Sequence, residues 1–291
     1  VARAIVEAAP SRPDIAACAV GRPALDICEP RSIERTLADA GADVVINAAA
    51  YTAVDRAESD EDRCFALNRD GARLLAEAAA RRGVPIIHIS TDYVFDGRKP
   101  SPYVETDATA PETVYGRSKL AGEEAVRRAN PRSLILRTSW VHSATGKNFV
   151  KTVLRLAAGG RPLRIVADQR GNPTYAPHLV EAILDAARQA AHRDAEWPHW
   201  GLYHAAGSGA ATWRDVAEET LACSARLGGP QAPVEPIATA EYPTPAARPL
   251  NSELDCGKLA AAFGLRLPDW REGVASCVER LARDGWPAAP E

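Results

Sequence analysis

The chain has 291 residues, 46% of them apolar, enough to bury one large core or two modest ones. Lys+Arg number 35 against 38 Asp+Glu, a net charge of −3, so there is no basic field to hold a nucleic-acid backbone and nucleic-acid binding is demoted. No apolar run reaches the roughly 18 residues of a membrane helix, and the start does not read as a signal peptide; the expectation is a cytoplasmic protein with no membrane partner.

The chain opens on Val1-Ala2-Arg3-Ala4-Ile5-Val6-Glu7, which reads as a helix already under way. Apolar, β-branched runs then alternate with helical patterns, the signature of a parallel sheet with crossover helices. The predicted strands are 15–20, 43–47, 84–90 and 133–138, and the helices between them are 33–40, 64–82 and 114–129. Val44-Val45-Ile46 is continuously apolar, as a strand buried on both faces should be. After residue 158 proline and glycine thicken, and the tract 230–249 reads as a long Pro-rich connection. Helices are predicted there at 148–158, 213–226 and 272–283, with 178–191 and 202–205 returning to the first domain as helix and strand. The expected fold class is α/β, a Rossmann-like doubly wound parallel sheet with a smaller, mostly helical C-terminal lobe. Residues 1–142 and about 163–206 form the dinucleotide-binding domain, and about 143–162 and 207–291 form the substrate lobe. The six cysteines contain no C-x-x-C and have no His at zinc-ligand spacing; reduced thiols are expected, and no metal ligands are assigned.

The strongest chemical pattern is Tyr115-Gly116-Arg117-Ser118-Lys119, which puts a phenol and an amine on one helical face. A phenol that protonates a developing alkoxide at neutral pH benefits from a cation beside it, and Lys119 supplies one. Chance alone gives about 0.12 such patterns in a chain of this composition, so the pattern is weak without context. Context comes from Ser90-Thr91-Asp92-Tyr93, hydroxyls and a carboxylate directly after an apolar strand, where open α/β sheets place their ligand crevice. Thr91 is therefore placed to hydrogen-bond a substrate carbonyl beside Tyr115. At another strand end, Asn47-Ala48-Ala49-Ala50-Tyr51-Thr52 offers small side chains that let a flat ligand approach the backbone.

Together the segments 47–55 (NAAAYTAVD), 90–97 (STDYVFDG), 114–123 (VYGRSKLAGE), 136–141 (LRTSWV), 146–149 (GKNF), 168–174 (DQRGNPT) and 242–249 (YPTPAARP) closely resemble the dTDP-4-dehydrorhamnose reductase family of extended short-chain dehydrogenase/reductases. The resemblance implies an NADPH- or NADH-dependent oxidoreductase acting on a dTDP-sugar in polysaccharide biosynthesis. It implies that Tyr115 donates a proton to C4 of the keto sugar, that Lys119 orients the nicotinamide ribose and lowers the tyrosine pKa, and that Thr91 is the strand-end hydroxyl. Asp92, Tyr93 and Trp140 fall at the substrate. Asp26, Ile27, Ala50, Tyr51 and Thr52, with Tyr115 and Lys119, fall at the cofactor. Arg22, where many relatives place an acid, suits a 2′-phosphate and favours NADPH. The family also has a first strand and a Gly-rich loop that have no counterpart here, so the expectation is a start truncated by about ten residues. Two alternatives stay open, a sister nucleotide-sugar reductase or epimerase and a non-catalytic cofactor-binding regulatory subunit; a homodimer is among the options for assembly.

Overall fold

The computed structural model describes residues 1–288. The chain opens in α1 (Ala2–Ala8), as its sequence predicts. The next segment departs from prediction, because residues 15–20 lie in no strand and the chain runs irregularly to α2 (Pro30–Ala40). The predicted strand fails for want of a partner. Four of its six residues are Ala or Cys, and a strand is stable only when a neighbour takes up its N–H and C=O groups.

The large sheet begins with β1 (Val45–Asn47). Helices α3 (Val54–Ala57), α4 (Glu61–Phe65) and α5 (Ala72–Arg81) lead to β2 (Ile86–Thr91), with the last two joined through a π-helical stretch, Ala66–Gly71. Helix α6 (Val114–Ala129) then crosses to β3 (Ser133–Thr138). The chain continues through β4 (Val141–His142), α7 (Phe149–Ala157), β5 (Leu163–Val166), β6 (Arg170–Gly171) and β7 (Thr174–Tyr175). Helix α8 (Ala176–Ala190) returns it to the sheet as β8 (Gly201–His204). The order is β1-β2-β3-β8, parallel throughout.

Alternation along these strands explains the fold. Ile87, Leu134 and Leu136 point into one core with Leu179 and Ile183 of α8, whereas Val45, Ile86 and Ile135 point into another with Ile33 of α2, Leu75 of α5 and Val126 of α6. Each of these side chains contributes about 1.5–3 kcal/mol by leaving water, and burial on both faces is why the strands read as unbroken apolar runs.

The C-terminal lobe contains β9 (Ala211–Thr212), α9 (Trp213–Arg226), β10 (Val234–Ile237), β11 (Asn251–Ser252), α10 (Gly257–Phe263) and α11 (Trp270–Asp284). Helices α7, α9 and α11 share a core of Val150, Leu154, Val216, Val274 and Val278. The Pro-rich tract holds a strand that its composition hides: β10 pairs in parallel with β5. Pro236 is tolerated because β10 has this single neighbour and needs no second row of N–H donors. Strand β5 thus sits with the lobe, its Leu163 and Ile165 packed against Val153 of α7 and Leu221 of α9.

Candidate active site

Strand β2 delivers Ser90 and Thr91 to the carboxyl end of the sheet, and a short helical turn, Asp92–Val94, follows at once. Helix α6 starts beside it, capped by the Thr113 hydroxyl, which accepts from the Gly116 N–H at 3.0 Å. Glycine is required at 116 for closeness: a Cβ there would overlap the Tyr93 carbonyl oxygen. This approach sets the Tyr115 ring edge-on to Tyr93, with centroids 5.5 Å apart. Gly122 does the same further along the helix, against the Asn68 carbonyl, so the helix that carries Tyr115 and Lys119 is seated tightly at both points.

Behind the site lies a buried polar network. Glu123 accepts two hydrogen bonds from Arg137 of β3, at 2.9 and 2.7 Å, and one from the Ser90 hydroxyl at 2.5 Å. It clamps α6 to β2 and β3 one residue from Thr91. Both residues lie in the resembling segments, but nothing in the sequence marks Glu123 and Arg137 as partners, because they are 14 residues apart on different elements.

Thr91, Asp92, Tyr93, Tyr115, Lys119, Trp140, Ala50 and Thr52 line a single cleft of about 550 Å³, a size suited to a small-molecule ligand. Tyr51 faces away, its hydroxyl donating to Asp60 at 3.0 Å and its N–H to Asn68 Oδ1 at 2.7 Å. Arg22, Asp26 and Ile27 are not among the cleft's lining residues. Asp26 accepts from the Cys28 N–H at 2.9 Å and lies 3.9 Å from the Arg22 guanidinium, while Ile27 is buried against Gly71. The structure therefore brings the proposed chemical and substrate residues together and leaves three proposed cofactor contacts in the irregular segment before α2.

Trp140 has a left-handed backbone, φ 47°, uncommon outside glycine and a mark of local constraint. Its ring stacks on Trp213 of α9 with centroids 3.6 Å apart, and on its flank Gly171 leaves the space a Cβ would fill. Trp213 is a partner that the sequence patterns do not reveal. The resembling segments also meet one another: Arg248 of YPTPAARP donates to Asp55 of NAAAYTAVD at 2.7 Å, and the Ser139 hydroxyl of LRTSWV donates to the Asn172 carbonyl of DQRGNPT at 2.9 Å.

Burial dominates the electrostatics. It raises the Tyr115 phenol above its usual pKa, with a hydrogen bond involving Thr91 pulling the other way, and it pushes the Lys119 amine down to about 8. Lys119 is expected from the motif to lower the phenol's pKa; its Nζ donates to the Ile89 carbonyl at 2.6 Å. Asp92 is pushed up to about 6 by burial, against hydrogen bonds from Ser252 and Thr91. Among the described residues, Asp92 Oδ2 and Thr138 Oγ1 are buried with no hydrogen-bond partner, and both residues line the cleft. Buried polar atoms are ordinarily paired, so this wall suits a polar ligand. At the end of β1, Ala48 and Ala50 offer the small side chains that a flat nicotinamide needs, with the Lys119 amine also in the cleft.

A family model described as "RmlD substrate binding domain" matches residues 1–283. The chain is 48% identical over 277 residues to a dTDP-4-dehydrorhamnose reductase of Sinorhizobium fredii, covering 95% of this chain and 93% of that one. Among solved structures, a dTDP-4-dehydrorhamnose reductase from Clostridium acetobutylicum is similar with a TM-score of 0.87 at 33% identity, over 96% of this chain and 95% of the other. One from Bacillus anthracis, solved in complex with NADP, gives 0.86 at 32% identity, over 96% and 94%. Motifs, cleft and parallel sheet agree with these matches, and the chain belongs to the dTDP-4-dehydrorhamnose reductase family.

Proposed function

We propose that this cleft reduces the 4-keto group of dTDP-4-dehydro-L-rhamnose to give dTDP-L-rhamnose, with NAD(P)H as reductant. The observation that carries the reading is the convergence of Thr91, Tyr115 and Lys119 on one cleft at the carboxyl end of β2. A raised phenol pKa keeps Tyr115 protonated across the neutral range, the form a general acid needs when a ketone becomes an alcohol. Its proton goes to the carbonyl oxygen as negative charge develops there, and the Thr91 hydroxyl stabilises the same oxygen. Lys119, Ala50 and Thr52 hold the nicotinamide end of the cofactor, which supplies the hydride when bound. Asp92 and Tyr93 contact the sugar. Trp140, backed by Trp213, presents its free face to the sugar nucleotide. Arg22, more than half exposed, supports a preference for NADPH through a 2′-phosphate. The reading places the enzyme in the cytoplasm, without nucleic acid, and makes a homodimer the assembly to measure.

The test follows NADPH oxidation by the full chain with dTDP-4-dehydro-L-rhamnose, then repeats it with NADH and with UDP-linked keto sugars. Turnover confined to the dTDP-sugar supports the assignment. Cofactor binding with no turnover on any keto sugar would instead indicate the non-catalytic regulatory subunit.

A further inference from the structure

The substrate wall has a support that lies outside the cleft and outside every resembling segment. Trp140 lines the cleft, whereas Trp213, in the first turn of α9, does not. The two indoles lie 6° from parallel with centroids 3.6 Å apart. Aromatic pairs left to themselves take offset or edge-to-face arrangements with centroids about 4.5–7 Å apart, because facing rings set like charge against like. A stack this direct is imposed by its surroundings.

Both rings are constrained from behind. Trp140 sits on a left-handed backbone, φ 47°, which fixes where its side chain leaves the chain. Trp213 is held twice: a capping box between Thr212 and Asp215 locks the start of its helix, and its Nε1–H donates to Gln169 Oε1 at 3.0 Å. Gln169 is 5% exposed. Its Nε2 donates to the Thr239 hydroxyl at 3.0 Å, which donates in turn to Asp168 Oδ1 at 2.7 Å. The two ends of this chain leave one arrangement of protons. An indole N–H can only donate and a carboxylate can only accept, so the amide must turn its oxygen to Trp213 and its NH₂ to Thr239. Phe149 of α7 also packs on Trp213, with centroids 4.6 Å apart.

We propose that Trp213 is a positioning residue for the sugar nucleotide, holding the Trp140 ring at the cleft wall while the Gln169–Thr239–Asp168 chain holds Trp213. A loose indole would have to be ordered when the ligand binds, at the expense of affinity. Here the ring is ordered beforehand. Trp213 touches neither the cleft nor Tyr115, so its effect reaches the ligand through Trp140 and leaves NADPH binding and proton transfer alone. Trp140 follows β3 of the sheet and Trp213 opens α9 of the C-terminal lobe, so the stack also ties lobe to sheet beside the cleft. This role rests on the proposed contact of Trp140 with the sugar nucleotide, which Trp140→Ala tests by itself.

Full-length variants are compared by calorimetric titration with dTDP-L-rhamnose and by kinetics with dTDP-4-dehydro-L-rhamnose and NADPH. Trp213→Leu removes ring and N–H together. It should weaken dTDP-L-rhamnose binding and raise KM for the keto sugar about tenfold, with kcat and NADPH affinity within about twofold of the parent. Trp213→Phe keeps an aromatic face without the N–H, and Gln169→Leu removes the acceptor but keeps the indole; each should change the same two quantities about threefold. Because both remove one hydrogen bond, the double variant should be no worse than either alone. Indole ¹⁵N–¹H NMR gives a signature that a purely structural role would not: in Gln169→Leu the Trp140 resonance should broaden without ligand and sharpen when dTDP-L-rhamnose is added.

Parental affinity in Trp213→Leu, alongside a weakened Trp140→Ala, would overturn the positioning role. Equal losses for the sugar nucleotide and for NADPH would make Trp213 a residue of the fold only and overturn it too. If Trp213→Leu does not fold, Trp213→Phe and Gln169→Leu decide by the same criteria. Parental affinity in Trp140→Ala would overturn the Trp140 contact, and the role of Trp213 with it. The titration needs no turnover, so failure of the ketoreductase reading would show in the kinetics alone.

Discussion

Residues 15–20 and the end of β2 look alike in sequence, each an apolar run leading to polar residues, yet one forms no strand and the other anchors the site. At β2 every ordering influence coincides. The strand has neighbours on both sides, Gly116 lets α6 approach the turn that follows it, and the Ser90–Glu123–Arg137 network locks helix to sheet. Residues 15–20 have none of these. Strand propensity is realised where partners supply the hydrogen bonds, and the groups proposed to be catalytic sit at the end of a strand so supported.

The largest expected effect tests the chemistry at the ordered end. Tyr115→Phe should lower kcat by about 10² to 10⁴, the usual contribution of a general acid, with cofactor affinity little changed. Stopped-flow turnover and a fluorescence titration of NADPH separate the two. A variant with near-parental kcat would detach Tyr115 from proton transfer.

The clamp behind the site comes next. Arg137 and Glu123 are almost fully buried, so Glu123→Ala leaves a guanidinium without its carboxylate, which costs about 3–5 kcal/mol. Urea unfolding should show this as an earlier midpoint at unchanged slope. Glu123→Gln, which retains a hydrogen-bond acceptor, should lose less. If both variants unfold like the parent, the network does not hold α6 to the sheet.

Asp92 gives a pH-dependent effect at the same place. Its folded pKa is raised, from 3.8 to about 6, so between those values the native state holds a proton that the unfolded state has released, and stability falls as pH rises through this window. Above about 6 the penalty is complete, on the order of 3 kcal/mol for a shift of this size. Asp92→Asn should therefore raise Tm at pH 7.5, with the gain shrinking below pH 6 and gone near pH 4. A gain independent of pH would point to packing instead of ionisation. Because Asp92 lines the cleft and is proposed to contact the sugar, the more stable variant should bind the substrate less well.

Much of this was legible in the sequence. Helix 114–129 and strand 133–138 form over the predicted residues, because continuous burial and a Thr cap leave local signals that agree with the tertiary outcome. The cleft residues Thr91, Tyr115, Lys119 and Trp140 are found together, because motif spacing encodes helix faces and strand ends. What stayed hidden depends on contacts between distant segments: Trp213 under Trp140, Gln169 on Trp213, Arg137 on Glu123, and β10 on β5. A tryptophan at the start of a helix looks like any other half-buried tryptophan until its two neighbours are known.

The smallest expected effect sharpens the comparison most, because it predicts almost nothing. Val20 is 37% exposed and belongs to no strand, so Val20→Ala removes little buried surface and should change stability by no more than about 0.5 kcal/mol. Ile135 of β3 is fully buried in the core beneath α6, and Ile135→Ala should cost about 2–5 kcal/mol by loss of transfer energy and creation of a cavity. Backbone exchange extends the contrast: amides at 16–20 should exchange orders of magnitude faster than those of β3, whose ladder opens only with much larger unfolding. A loss at Val20 approaching that at Ile135, together with slow exchange at 16–20, would mean that this segment is held in a sheet after all and that strand propensity decided the outcome there.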